Sequence, residues 1–303
     1  MAVLIDPPRW PAHGTLFSHL VSDRSLDELF AFADGRQLPV RAFDHDHYDV
    51  PERRHADLVA AGAEPVEPSE LVRRLVASGL RVRTPDRTPK RDEVLPGLVA
   101  AWQRLLPDSP GLGADLLERW QEAHRHYHDV RHLAQILAAL DTVAGGRPSR
   151  PVLLAAWFHD AVHDGVQGED EERSAALAEG TLPAAGLPAS EVAEVARLVR
   201  LTTTHTTEPG DSAGIELVDA DLSILGQPPG RYHVFSRDVR LEYLEIPDPV
   251  FVSGRLKALE ALSSKQPLYR SAVAQGAWAT QARQNLASER RRWARLVGPE
   301  RVQ

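Results

Sequence analysis

From about residue 93 onward, apolar residues recur every third or fourth position through nearly all of the remaining chain. That spacing lines one face of an α-helix and commits this part of the chain to helices. Segments near 94–106, 112–126, 129–144, 151–163, 170–180, 189–204, 212–226, 230–245, 250–263 and 266–295 carry the pattern. Gly145-Gly146-Arg147-Pro148 and Gly186-Leu187-Pro188 are breaks between them. There is no internal repeat and no sustained heptad seam, so the expectation is an all-α bundle over residues 93–303.

The first 83 residues read differently. Ala2-Val3-Leu4-Ile5 has the look of a short buried strand, and Pro39-Val40-Arg41-Ala42-Phe43 alternates as a strand does. Between and after them, Ser25 caps a helix from Leu26 to Ala33, Pro51 opens one that stops at Gly62, and Ser69–Val76 forms another closed at Gly79. Ala63–Val66 adds a short strand. Strands alternating with helices predict a small α/β domain with a mainly parallel sheet. Residues 84–92 are polar, with prolines at 85 and 89, and have linker composition. The fold class expected is therefore α+β in two domains, residues 1–83 and 93–303.

Composition narrows the chemistry. The absence of cysteine excludes disulfides, thiol catalysis and cysteine-ligated zinc. Thirty-five basic against 43 acidic residues leave a net charge of −8, which gives a nucleic-acid partner no electrostatic support. The start, Met1–Asp6, lacks the pattern of a signal peptide, and no apolar run approaches the roughly 20 residues that span a bilayer. The expected location is cytoplasmic, with self-association left open.

The apolar run Val152–Phe158 leads directly into His159-Asp160, with no turn residue between. Ionisable groups at the edge of a buried face need partners, and a divalent cation satisfies both residue types together. Of thirteen histidines, four lie within residues 124–132, and the spacing of His124, His128 and His132 puts them on one face of a helix. Asp219 and Asp221 sit in an otherwise apolar segment, Ile215–Leu225. Imidazole and carboxylate ligands together suit Mn, Fe, Co, Ni or Zn better than Ca.

The ordered set His132, His159-Asp160 and Asp221 resembles the HD superfamily of metal-dependent phosphohydrolases. Further stretches continue the likeness to a predicted bacterial branch: Arg125–His132, Glu171–Ala175, Thr203-Thr204-His205, Asp219–Gly226, Arg240–Tyr243, Gly254-Arg255 and Ala282–Leu286. The resemblance implies His132, His159, Asp160 and Asp221 as ligands of one divalent ion (Mn, Fe, Co, Ni, Zn or Mg), with His128 and Asp219 as alternatives. It implies hydrolysis of a phosphoester in a small phosphorylated substrate such as a nucleotide. Glu171 or Glu172 would orient the attacking water. Arg131, His205, Arg240 and Arg255 are candidates to hold phosphate, and His205 is also a candidate catalytic group. The set lacks the extra histidines of dinuclear HD variants, which favours a single ion.

The first domain separately resembles a bacterial domain of unknown function, through Leu4-Ile5-Asp6, Trp10-Pro11, His19–Asp23, His47-Tyr48-Asp49 and Ala61-Gly62-Ala63. That resemblance implies no activity. Phe43–Asp49 is dense in ligand-type residues but has no spacing logic, and is read as a polar loop.

Two rival functions follow from the same residues. His159-Asp160-Ala161-Val162-His163 mimics the zinc-peptidase pattern, but Asp160 is a methylene shorter than the glutamate that pattern requires. The other is a metal- or nucleotide-sensing module with little or no turnover.

Overall fold

The computed structural model describes residues 2–297. The chain divides into two compact units, one comprising the chain up to Arg87 together with Pro228–Val234, the other Thr88–Gln227 and the chain from Phe235 onward. No helix among the described residues is long and apolar enough to cross a membrane.

The first unit contains β1 (Val3–Ile5), β2 (Trp10–Ala12), β3 (Thr15–Ser22), α1 (Leu26–Asp34), β4 (Phe43–Asp44), β5 (His47–Pro51), α2 (Glu52–Ala60), β6 (Glu64–Pro65) and α3 (Pro68–Ala77). Its sheet runs in the order β4-β5-β3-β1-β6, with β2 also paired to β3. Only β1 and β6 are parallel; the other pairings are antiparallel, which corrects the expectation of a mainly parallel sheet. The reason is local. His13 and Gly14 both adopt positive φ (48° and 76°), which matches a two-residue hairpin turn and folds β2 back onto β3. A second tight turn, at His45 (φ 58°) and Asp46, folds β4 onto β5, so Phe43–Asp49 is a hairpin and not a loop. Val40–Ala42, expected as strand, forms a 3-10 turn leading into it. Leu4, Ile5, Leu20 and Val21 from the strands pack with Leu29, Leu58, Leu71 and Leu75 from the helices as one core.

The second unit is helical: α4 (Arg91–Leu105), α5 (Pro110–Arg119), α6 (Val130–Val143), α7 (Arg150–Phe158), α8 (Glu169–Thr181), α9 (Ala189–Leu201), α10 (Ser212–Asp221), most of α11 (Pro229–Glu242), α12 (Asp248–Ser264) and α13 (Ala272–Val297). Helix α7 is apolar on nearly every side, with Val152 and the whole of Leu154–Phe158 buried, and is the central element of this core. Trp102 meets Trp157 edge-on, with ring centroids 4.9 Å apart, while Ile136, Val195 and Leu217 bring in α6, α9 and α10.

Three helices end sooner or start later than the sequence periodicity suggests. Residues between α5 and α6 form turns, so of the closely spaced histidines only His132 lies on a helix, and His124 and His128 do not share its face. Helix α7 stops at Phe158 and α10 at Asp221, which leaves His159-Asp160 and Asp221 at helix ends.

Candidate metal centre

Those helix ends meet. Asp129 caps α6 by accepting the amide of Arg131 at 2.8 Å, and so sets His132 in the first turn with its side chain buried. The His159 amide still bonds to the Ala155 carbonyl at 2.8 Å, after which the chain leaves the helix and turns Asp160 inward. The Nε2 atoms of His132 and His159 lie 3.2 Å apart. His132 Nε2 is 3.1 Å from Asp221 Oδ1 and 3.8 Å from Asp160 Oδ2. His159 Nε2 is 3.1 Å from Asp160 Oδ2 and 3.8 Å from Asp221 Oδ1. Donors bound tetrahedrally at about 2.0–2.2 Å are separated by about 3.3–3.6 Å, so these five separations have the scale of a coordination sphere, and His132, His159 and Asp221 offer donor atoms all within 4.8 Å of one another.

Each member is tied back on its far side. Tyr127 Oη sits 3.0 Å from His132 Nδ1, and His159 Nδ1 lies 2.9 Å from the Ala156 carbonyl, which leaves both Nε2 atoms facing the centre. His205 Nε2 holds the second oxygen of Asp221 at 2.7 Å. His205 does so from a left-handed backbone conformation, φ 50°, uncommon for a residue with a Cβ. The Lys265 ammonium pins that turn by donating to the carbonyls of Thr204 and His205, at 3.0 and 2.9 Å.

The electrostatics match a crowded acceptor cluster. Burial lowers the affinity of the His132 ring for a proton despite the nearby Asp221. Burial opposes charge at His159 as well, but the adjoining Asp160 carboxylate outweighs it and pushes this ring up to about 9. Burial disfavours the charged Asp160 carboxylate, yet the His159 ring beside it holds it well below the usual carboxylate range.

Two residues with no role in the sequence reading hold this arrangement in place. Arg125, wholly buried, donates to the carbonyls of His128 (3.0 Å), Asp160 (2.7 Å) and Ala161 (3.3 Å) and to the Glu122 carboxylate (2.9 Å). It therefore ties the loop before α6 to the loop that carries Asp160. Glu242, on α11, accepts the amides of His126, Tyr127 and His128 at 2.7–2.8 Å through one oxygen and faces His128 Nδ1 at 2.7 Å with the other. His128 thus belongs with Glu242 and His163, whose rings lie 4.2 Å apart for the two histidines.

The quartet opens onto a cavity of about 490 Å³. His159, Asp160 and Asp221 line it on one side, and Phe235, Phe251 and Leu222 form part of an apolar wall. Of the residues proposed for catalysis, Glu171 and His205 line this cavity, with Glu171 Oε2 also capping α8 through the Gly168 amide. Glu172 faces solvent and pairs with Arg200. Among the arginines, Arg255 lines the cavity but is paired with the buried Glu289 at 2.9 Å. Arg131 is turned to Asp129 and Asp238, and Arg240 to Asp248 and the carbonyls of Tyr243 and Ile246; neither lines the cavity. Asp219 accepts the amides of Arg270 and Ser271 and stands apart from the quartet.

Comparison with known proteins bears on the first unit alone. Residues 3–78 match a family described as a protein of unknown function (DUF4031), to which this part of the chain is similar. No curated protein and no solved structure matches the chain.

Proposed function

We propose that the helical unit is a metal-dependent phosphohydrolase of the HD type, acting on a nucleotide or a related small phosphoester. The observation that carries this reading is the convergence of three helix ends, which places the Nε2 atoms of His132 and His159 each within 3.8 Å of both Asp160 Oδ2 and Asp221 Oδ1. A divalent ion held there supplies Lewis acidity and an acidified water for attack at phosphorus. Mixed imidazole and carboxylate donors favour Mn, Fe, Co, Ni or Zn.

The chain's own groups divide the remaining work. Tyr127 and the Ala156 carbonyl fix which nitrogen of each histidine faces inward, and His205 sets the rotation of Asp221. Glu171, in the cavity wall, is assigned to take a proton from water. The apolar wall around Phe235 and Phe251 receives the non-phosphate part of the substrate and keeps bulk water out. Arg255 is the one arginine or lysine among the described residues lining the cavity, against the carboxylates of Asp160, Asp170, Glu171 and Asp221, so neutralisation of phosphate falls to the ion more than to arginine.

Metal content of the purified chain, followed by a screen of nucleoside mono-, di- and triphosphates against wild type and Asp160→Asn, tests the proposal. Turnover is expected in the wild type and a loss of at least about a hundredfold in the variant, as for removal of a group that holds the reacting centre. Activity that survives Asp160→Asn sinks it. Bound metal without turnover on any phosphoester supports the sensing role instead, a reading that the pairing of Arg255 to Glu289 favours.

A further inference from the structure

The first unit contains a second constellation that is independent of the helical one. Strands β3 and β5 pair antiparallel with His19 directly opposite Asp49, and His47 follows two residues along on the same face. Register alone thus gathers two imidazoles and a carboxylate that are about thirty residues apart in the sequence. The His19 and His47 rings lie 5.0 Å apart at 79°.

Each ring is held at its far nitrogen by a buried carboxylate. His19 Nδ1 is 3.0 Å from Asp6 Oδ2, and His47 Nδ1 is 2.7 Å from Asp46 Oδ1. Asp6 and Asp46 are 1% and 0% exposed, and both are fixed in turn. Asp6 accepts from the Trp10 indole and the His19 amide, and Asp46 from the Val82 amide. A histidine that donates Nδ1–H to a carboxylate presents its Nε2 lone pair outward. Both Nε2 atoms face Asp49 Oδ1, at 3.9 Å from His19 and 3.5 Å from His47.

Those last two distances are long for an ion pair and are also those of a ligand set. A charge-assisted N–H···O bond closes to about 2.7–2.9 Å, and 3.5–3.9 Å is too long for one. It is close to the separation of about 3.3–3.6 Å between donors that share a tetrahedral ion. The three donor atoms lie within 4.8 Å of one another. Asp49 is 47% exposed and His19 27%, so an ion has access from solvent and keeps a position open to it.

We propose that His19, His47 and Asp49 form a binding site for one divalent transition ion of the zinc, iron or cobalt class, with Asp6 and Asp46 as positioning residues. Two histidines and one carboxylate with an open position is the donor set of metal sites that exchange a water or a substrate. The hairpin that the sequence reading treated as a polar loop contributes two of the three ligands.

The test uses the whole chain, stripped of metal and titrated with Co²⁺, with bound ion counted after dialysis and its visible absorption recorded. Asp49→Asn and His19→Gln, both at solvent-accessible positions, are each expected to bind one equivalent fewer than wild type and to lose the corresponding absorption. Asp6→Asn is expected to weaken that equivalent by about ten- to a hundredfold without abolishing it. Asp160→Asn, in the other unit, leaves it unchanged. Equal stoichiometry in wild type, Asp49→Asn and His19→Gln, with circular dichroism matching, overturns the proposal.

Discussion

His205 holds a backbone conformation that costs about 1–3 kcal/mol for a residue with a side chain, and it faces the carboxylate that completes the quartet. A strain of that size persists where the surroundings over-determine it, here through the Lys265 ammonium on two carbonyls. His205→Ala is therefore expected to leave the helical unit folded but free Asp221 to rotate. Its affinity for a divalent ion, measured by competition with a chelator, should fall about ten- to a hundredfold. Lys265→Met should move it in the same direction by less. At this scale the sequence was informative where chemistry is written in residue type. The sequence marks His132, His159, Asp160 and Asp221 as one set of ligand-type residues, and each histidine lies within 3.8 Å of both carboxylates. Glu242 carries no such mark, because its partners at 126–128 are more than a hundred residues away and three of its four contacts there are to backbone amides.

Among elements, the loops between helices do more than the periodicity foretold. Arg125 crosses between two of them and donates to three carbonyls in a site with no exposure. Arg125→Met removes those donors and leaves buried acceptors bare, an expected loss of about 3 kcal/mol that urea denaturation should register. The helical spacing around 120–129 misled because apolar positions three and four apart also occur in a turn-rich loop packed against Trp120. In the first unit, β3 and β5 were missed for a different reason. Thr15–Ser22 mixes polar and apolar residues on both faces and His47–Pro51 is short, while the hairpin turns at His13-Gly14 and His45-Asp46 set β2 on β3 and β4 on β5. The turn at His13-Gly14 is written in the sequence as a glycine-containing dipeptide; the one at His45-Asp46 uses residues that tolerate positive φ only in context.

For the molecule as a whole, acid stability should report on a buried pair. Burial disfavours the Glu289 carboxylate in its charged form, but the Arg255 guanidinium beside it holds it down to about 2, from an ordinary 4.5. A lowered folded value means that the pair stabilises fully above pH 4.5 and that this contribution is lost as pH falls toward 2. The stability gap between wild type and Glu289→Gln, measured by denaturant titration at stepped pH, should be widest near neutrality and shrink across that interval. The first unit carries a second whole-chain consequence. His233 stacks on Phe30 at 4.0 Å, and a Cβ on Gly230 would lie 1.7 Å from the His45 carbonyl, so residues 228–234 fill a gap that no side chain at 230 could enter. A fragment ending at residue 87 is expected to expose Phe30 and Phe43 and bind a hydrophobic dye, and one with residues 228–234 appended by a flexible linker should bind less. In a cell the same feature becomes a matter of timing. Ribosomes add about 5–20 residues per second, so the N-terminal sheet waits on the order of ten seconds after its last strand emerges before the segment that closes it is made. During that interval its open aromatic face is a natural target for a nascent-chain chaperone.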